Sequence, residues 1–265
     1  MYSLAEDARA LVERNGRELC GYDTRVKKPI VKRASTQYSG VRASEAAAEI
    51  EAGPGRNSVR IIGGSWRGRR LRFPDVPGLR PTPDRVRETL FNWLQHDIAG
   101  ARCLDLFAGS GALGVEALSR GAAELIFVEM SVIAARGLRE QLDILGASIA
   151  GGAGGGGGRG GGGVAGRGRV IEIGAARFLR APSEPFDVVF VDPPFGVNAL
   201  AEYVPLLDTG NWVKPEGLVY LECEKSAGLP NLPLHWELLK SKSAGEVGYH
   251  LARVNGGSPL PSVET

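Results

Sequence analysis

One stretch limits what this chain can fold into: Cys103-Leu104-Asp105-Leu106-Phe107-Ala108-Gly109-Ser110-Gly111-Ala112-Leu113-Gly114. It reads as a short apolar strand, an acid near its end, a glycine turn, and a helix from about Ala112. Glycines at 109 and 111 remove the Cβ atoms that would keep a ligand off the backbone. The helix behind them offers free N–H groups and the positive end of its dipole. A turn of this kind receives a nucleotide-like ligand and belongs in a parallel α/β sheet.

The chain around it carries the matching alternation. Ala123 to Val128 is apolar along its length, as a parallel strand covered on both faces must be, and it ends at Glu129. A helix through Ile133, Leu138, Leu142 and Leu145 follows, then strands over Arg169 to Ile173, Phe186 to Val191 and Leu218 to Cys223. His235 to Lys242 and Val247 to Val254 read as an antiparallel pair around Ala244-Gly245. The fold class is α/β: a doubly wound, Rossmann-like sheet with a C-terminal antiparallel hairpin and a small basic N-terminal β extension.

Upstream of the glycine turn, Val59-Arg60-Ile61-Ile62 and Arg70-Leu71-Arg72-Phe73 are strand-like runs on either side of Gly63-Gly64-Ser65-Trp66-Arg67-Gly68. Net charge is only +2, so the crowding of Arg60, Arg67, Arg69, Arg70, Arg80, Arg85 and Arg87 into this segment matters more than the total. Arginine suits planar, bidentate phosphate recognition, and an interleaved Trp66 suits stacking on bases. The other reading is a solvated face with Trp66 capping a small apolar cluster. Thr82 or Asp84 is expected to cap a helix through Val86, Leu90, Phe91 and Leu94.

The expected organisation is an extension over 1–57, loosely docked or disordered. A basic hairpin over 58–80, a main domain over 81–254 and a tail over 255–265 follow. Within the main domain, 150–169 is nearly pure glycine and reads as a flexible insert. No apolar run approaches the roughly 20 residues that span a bilayer. Cys20, Cys103 and Cys223 form no CxxC pair, and two of them sit inside apparent strands. That favours reduced thiols, a cytoplasmic setting and no metal. His96, His235 and His250 adjoin no acid or cysteine cluster in the sequence and read as structural.

Gly109-x-Gly111-x-x-Gly114 alone fits a dinucleotide fingerprint, with Glu129 placed to hold a ribose diol. Two features argue against hydride transfer. Asp105 lies where a pyrophosphate meets repulsion but an amino-acid ammonium meets attraction. Asp192-Pro193-Pro194-Phe195 closes the fourth strand, and hydride transfer has no use for it. Methylation of an amino group does. Asp192 and the Pro193 carbonyl can both accept hydrogen bonds from one exocyclic NH2, aiming the nitrogen lone pair at a methyl donor. Pro194 stiffens the turn, and Phe195 offers a flat surface to a flipped-out base.

On the stretches VRIIGGSWRGRRL, GLRPTPDRVRETLFNWL, CLDLFAGSGALGVEALSRGA, VFVDPPF and AGEVGYHLARV, residues 58–253 resemble the bacterial RsmD family. That family methylates the exocyclic N2 of one guanosine in 16S ribosomal RNA. The resemblance implies a class I fold that uses S-adenosylmethionine. It places the donor around Asp105, Phe107, Ala108, Gly109, Ser110, Gly111, Glu129, Met130 and Ala175, and the catalysis at Asp192 to Phe195. It also implies that the basic strands grip RNA and that the substrate is an assembled or assembling 30S particle, with no membrane and no obligate protein partner. Where family members commonly place an Asn or Asp to bond the adenine, this chain has Gly174-Ala175-Ala176, so adenine is expected to be held by backbone and packing. A DNA adenine-N6 methyltransferase and a non-catalytic RNA-binding assembly factor are the alternative readings.

Overall fold

The computed structural model describes residues 57–149, 166–194 and 199–256. The expected extension up to residue 56, Phe195, and the tail from residue 257 lie outside the described residues. So do residues 150–165 of the glycine-rich tract.

Among the described residues the main sheet has eight strands in the order β5-β6-β4-β3-β7-β8-β10-β9. Its parallel part is β3 (Arg102–Asp105), β4 (Glu124–Glu129), β5 (Ser148–Ile149), β6 (Arg167–Glu172), β7 (Phe186–Val191) and β8 (Val213–Glu224). β10 (Val247–Val254) runs antiparallel between β8 and β9 (Trp236–Ala244). The chain enters at β3, winds outward through β4 and β6, then returns to β3 and leaves the other way through β7 and β8. Strand order therefore reverses between β3 and β7, and ligands of such sheets bind beyond the carboxyl ends of the strands at that reversal.

Side-chain alternation along the strands builds two apolar layers. Cys103, Leu125, Phe127, Val188, Phe190 and Tyr220 face one side, where α1 (Asp84–Trp93), α2 (Ala112–Ser119) and α3 (Val132–Leu145) cover them. Leu104, Ile126, Val128, Val189, Val191 and Leu221 face the other, under α4 (Ala175–Phe178) and α5 (Leu200–Thr209). Each such side chain removed from water contributes about 1.5–3 kcal/mol, which is why these strands are apolar throughout.

β1 (Ser58–Arg60) and β2 (Arg70–Arg72) pair antiparallel, with Val59 opposite Leu71 and both buried. The hairpin hangs on α2. Glu116 accepts the N–H groups of Ile62 and Gly63 at 2.8 and 2.7 Å, and Ser119 accepts that of Trp66 at 3.0 Å.

Several expectations change. Trp66 is buried at 6% exposure, so it packs rather than stacks on a base. Neither Thr82 nor Asp84 caps α1; Pro83 sits at the cap position, where it contributes no side-chain acceptor. Ile133 is exposed, and Ala134 and Ala135 take the inner face of α3 beside Leu138, Leu142 and Leu145. The glycine-rich tract does not extend to residue 169, because β6 already begins at Arg167. Gly166 and Gly168 are needed there: a Cβ on Gly166 would lie 2.0 Å from the Ala122 carbonyl oxygen, and one on Gly168 would lie 3.3 Å from Leu142.

Candidate active site

The glycine turn leaves β3 directly behind Asp105. Gly109 and Gly111 take φ values of 50° and 77°, a left-handed backbone that a side chain resists. Their neighbourhoods differ. A Cβ on Gly111 would strike Leu138 at 2.4 Å, so this glycine lets α3 close on the turn. A Cβ on Gly109 would meet Leu79 and the Phe107 carbonyl at 3.9 Å, an ordinary contact, so it is the left-handed backbone rather than crowding that asks for glycine here. Gly114 serves packing, since a Cβ there would lie 2.2 Å from Phe127.

Glu129, at the end of β4, reaches across to this turn. Its carboxylate accepts the Gly109 N–H at 2.7 Å and the Ser131 N–H at 2.7 Å. The fold thus brings Asp105, Gly109, Gly111 and Glu129 to one place. Ala108 and Ser110 are buried in the turn, and half-buried Phe107 packs edge-on against Tyr203 at 4.9 Å. Met130 is 78% exposed beside Gly174, and Ala175 is buried where α4 begins, so the ends of β4 and β6 form the opposite wall.

Asp192 follows β7, the strand next to β3 on the other side of the reversal. Thr82 Oγ1 donates to Asp192 Oδ2 at 3.1 Å. The hydroxyl expected to cap α1 instead holds the acid of the Asp-Pro-Pro turn, 110 residues away. Pro193 is buried and Pro194 exposed, while the predicted Phe195 lies outside the described residues.

The carboxyls here share an unusual electrostatic setting. Burial raises Asp105 to about 7, and the charges of Asp192 and Glu129 add to the rise against the bond from the Gly114 N–H. Burial raises Asp192 to about 6, opposed by the Thr82 hydroxyl. A third buried acid was not anticipated from the sequence. Glu222, on β8, is 3% exposed and receives the Tyr220 hydroxyl at 2.7 Å. Its one sequence signal is an acid at a core-facing position, two residues after Tyr220, inside the apolar run Leu218 to Cys223. Among the described residues, no Lys, Arg or His forms an ion pair with Asp105, Glu129, Asp192 or Glu222. No group of three or more His, Cys, Asp and Glu is arranged to hold a metal ion among those residues either. A cation brought here would favour the ionised forms of these carboxyls, which burial otherwise opposes.

The arginine expectations separate. Arg60, Arg67, Arg69, Arg70, Arg80 and Arg85 are exposed. Three of them are lightly anchored, Arg60 to Asp84 at 3.8 Å, Arg69 to the Ile144 carbonyl at 2.9 Å and Arg70 to Ser58 Oγ at 3.1 Å. Arg87 is a correction: it is 1% exposed, so RNA cannot reach it. Its guanidinium donates to the Thr82 and Arg60 carbonyls and pairs with Asp84 at 2.6 Å and Glu116 at 3.3 Å. His235 lies with its Nε2 2.9 Å from Asp208 Oδ1, which also accepts from Trp236, a contact that anchors the start of β9 to α5.

Comparison with known proteins agrees with this architecture. The family described as Conserved hypothetical protein 95 matches residues 59–153 and 165–253. Ribosomal RNA small subunit methyltransferase D of Escherichia coli K12 is 47% identical over 197 residues, covering 74% of this chain and 90% of that protein. The protein of the same name from Haemophilus influenzae is 43% identical, covering 77% of this chain and 97% of its own length. The solved structure of Escherichia coli yhhF superposes with a TM-score of 0.65 at 45% identity, covering 76% of this chain and all of that one. The glycine turn, the Asp-Pro-Pro turn and the basic hairpin all fall inside the matched residues, and the chain belongs to the Conserved hypothetical protein 95 family, that of the ribosomal RNA small subunit methyltransferases D.

Proposed function

We propose that this protein methylates the exocyclic N2 of a guanosine in 16S ribosomal RNA, with S-adenosylmethionine as donor and a 30S particle as substrate. One observation carries the reading: buried or half-buried carboxyls converge at the strand reversal beside the glycine turn, with no basic side chain paired to them among the described residues. A donor bearing both an ammonium and a sulfonium suits such a crevice, and the relatives named ribosomal RNA methyltransferases agree with it.

The residues fit that donor. Gly109 leaves room for its backbone, Asp105 and the turn receive its amino-acid end, Glu129 lies where a ribose diol is held, and Met130 with Ala175 flanks the adenine. When bound, S-adenosylmethionine supplies an electrophilic methyl whose bond to sulfur breaks as the bond to nitrogen forms, leaving the electron pair on sulfur. Asp192 accepts an N–H of the guanine amine, turns its lone pair toward that methyl, and takes the proton that nitrogen releases. Thr82 fixes the acid's orientation from the base of α1. Phe195 provides the stacking surface for a flipped base. The 58–80 hairpin and Arg85 present the cations that meet RNA phosphates, and 81–254 forms the methyltransferase domain.

Tritiated methyl transfer to 30S subunits from cells lacking the endogenous enzyme tests this directly, with naked ribosomal RNA and duplex DNA alongside. Label in N2-methylguanosine from the 30S sample is the expected result. Label in N6-methyladenine of DNA, or none in any substrate while donor binds, would overturn it.

A further inference from the structure

The buried acid of β8 has no part in the chemistry above. β7 and β8 pair in parallel, with Phe190 opposite Tyr220 and Val191 opposite Leu221, so Asp192 and Glu222 are the next residues along neighbouring strands. Alternation puts Phe190 and Tyr220 in the same apolar layer, and Asp192 and Glu222 follow each of them by two residues. Glu222 is 3% exposed, and among the described residues its carboxyl has one hydrogen-bond partner, the Tyr220 hydroxyl at 2.7 Å. A lone carboxylate in such a place is costly unless a proton neutralises it.

The groups facing this pair are few. From β7 there is Asp192, from β8 Tyr220, and from β10 Tyr249, the register partner of Glu222. From β3, Asp105 faces Asp192. From α1 the buried cation is Arg87, which pairs with Glu116 and Asp84 instead. His250, on the next position of β10, lies 3.8 Å from Cys223 and pairs with neither acid.

We infer that Glu222, oriented by Tyr220, is a positioning residue for the methyl transfer: it carries the one proton of the Asp192–Glu222 pair, so that Asp192 meets the guanine amine as a carboxylate. The asymmetry is geometric. Asp192 has the Thr82 hydroxyl and the open side of the crevice, whereas Glu222 is enclosed with a single phenol. The electrostatics agree in direction, since burial and the charge of Asp192 both push the Glu222 carboxyl up, while the Thr82 hydroxyl works against the rise at Asp192. The pair thus holds one proton before transfer. It holds two once the proton from N2 has reached Asp192, which leaves both carboxyls neutral until Asp192 releases that proton to water.

This inference rests on the proposed methyl transfer, and its test separates the two. The turnover of the wild-type enzyme on 30S subunits is followed against pH, together with Glu222→Gln and Tyr220→Phe. With donor saturating, so that Asp105 is engaged by the donor's ammonium, the wild type is expected to show two inflections, the lower from Asp192 and the upper from Glu222. Glu222→Gln should lose the upper one and keep the lower. Its kcat should fall by less than the roughly hundredfold that follows loss of a group handling the proton itself, with KM unchanged. Tyr220→Phe should move the upper inflection to higher pH, because the phenol stabilises the ionised form. An upper inflection that stays in place in Glu222→Gln would overturn the inference, as would a kcat lost at every pH with the profile unchanged in shape.

Unfolding in urea supplies a readout without donor or RNA. An acid protonated when folded but ionised when unfolded loses stability as pH rises from its ordinary range through its raised one. Between about pH 5 and about pH 8 the urea midpoint of the wild type should therefore fall more steeply than that of Glu222→Gln. Parallel curves would overturn the assignment of the proton to Glu222. Absence of methyl transfer by the wild type, with the two curves still diverging, would count against the proposed reaction and leave the proton on Glu222.

Discussion

Glu116 and Glu222 are both glutamates in the core, and the fold treats them in opposite ways. Glu116, fully buried on α2, accepts two backbone N–H groups from the N-terminal hairpin and pairs with Arg87 and Arg120 at 3.3 and 2.7 Å. Glu222 has one phenol and a neighbouring acid. A carboxylate with four donors ties three elements together: β1 with its loop, α1 and α2. A carboxyl with one donor favours its neutral form. Full compensation marks the device that holds the basic hairpin on the domain. Deficient compensation marks the crevice, where an incoming cation or proton completes the balance.

Removing the compensated acid should produce the largest effect. Glu116→Ala leaves Arg87 without its buried partner, with only half-exposed Asp84 opposite its charge, and two hairpin N–H groups without an acceptor. Breaking a buried pair costs about 3–5 kcal/mol. For a domain of this size that lowers Tm by on the order of 10 °C. Thermal unfolding of the two variants sharpens the contrast, because Glu222→Gln should lose little stability near neutral pH. A Glu116→Ala protein as stable as the wild type would break the comparison.

Asp192→Ala comes next, and its effect belongs to rate. Loss of a hydrogen-bonding group that acts as charge develops costs roughly 10²–10³ in turnover, about 2.7–4 kcal/mol. Donor affinity by calorimetry should change less than about threefold. Turnover within tenfold of the wild type would remove Asp192 from the reaction and leave the acidic crevice a binding feature only.

The parts of the molecule legible in the sequence are those whose physics is local. The apolar runs of β4 and β7, the glycine turn, the acid closing β4 and the Asp-Pro-Pro turn each state their meaning within a few residues. Glu222 does not, because its significance depends on Asp192 lying one strand over. Arg87 looked like one more surface arginine until Glu116, 29 residues away, was brought against it. Thr82 looked like a cap until the fold supplied a partner 110 residues on. Gly166 and Gly168 looked like the end of a loose tract, and only the closeness of Ala122 and Leu142 shows that strand β6 requires them. α5 was hidden by Pro205 inside it. Close approaches between distant segments carry no local mark.

Glu129→Ala should have a smaller effect than Asp192→Ala, confined to the donor. The carboxylate holds the Gly109 N–H, so its removal both frees the turn and deletes the acceptor proposed for the ribose. Donor dissociation should weaken by about tenfold, roughly 1.4 kcal/mol, with turnover at saturating donor little changed. An unaltered dissociation constant would leave Glu129 a purely structural cap for the residues after β4.

The smallest effect is expected at Arg85, and it carries the comparison down to two arginines on one helix. Arg85 is exposed near the start of α1, whereas Arg87, two residues on, is enclosed by Glu116, Asp84 and two carbonyls. If exposure decides which cations meet RNA, Arg85→Ala leaves Tm unchanged and lowers the slope of log affinity against log salt by about one phosphate contact. Arg87→Ala should do the reverse, lowering Tm because it empties a buried site and removes one of the two ionic partners of Glu116, with the salt slope of the remaining folded protein intact. A salt slope that drops in Arg87→Ala but not in Arg85→Ala would mean that the buried clamp sets the RNA-binding geometry, and that the exposed arginines only solvate the surface.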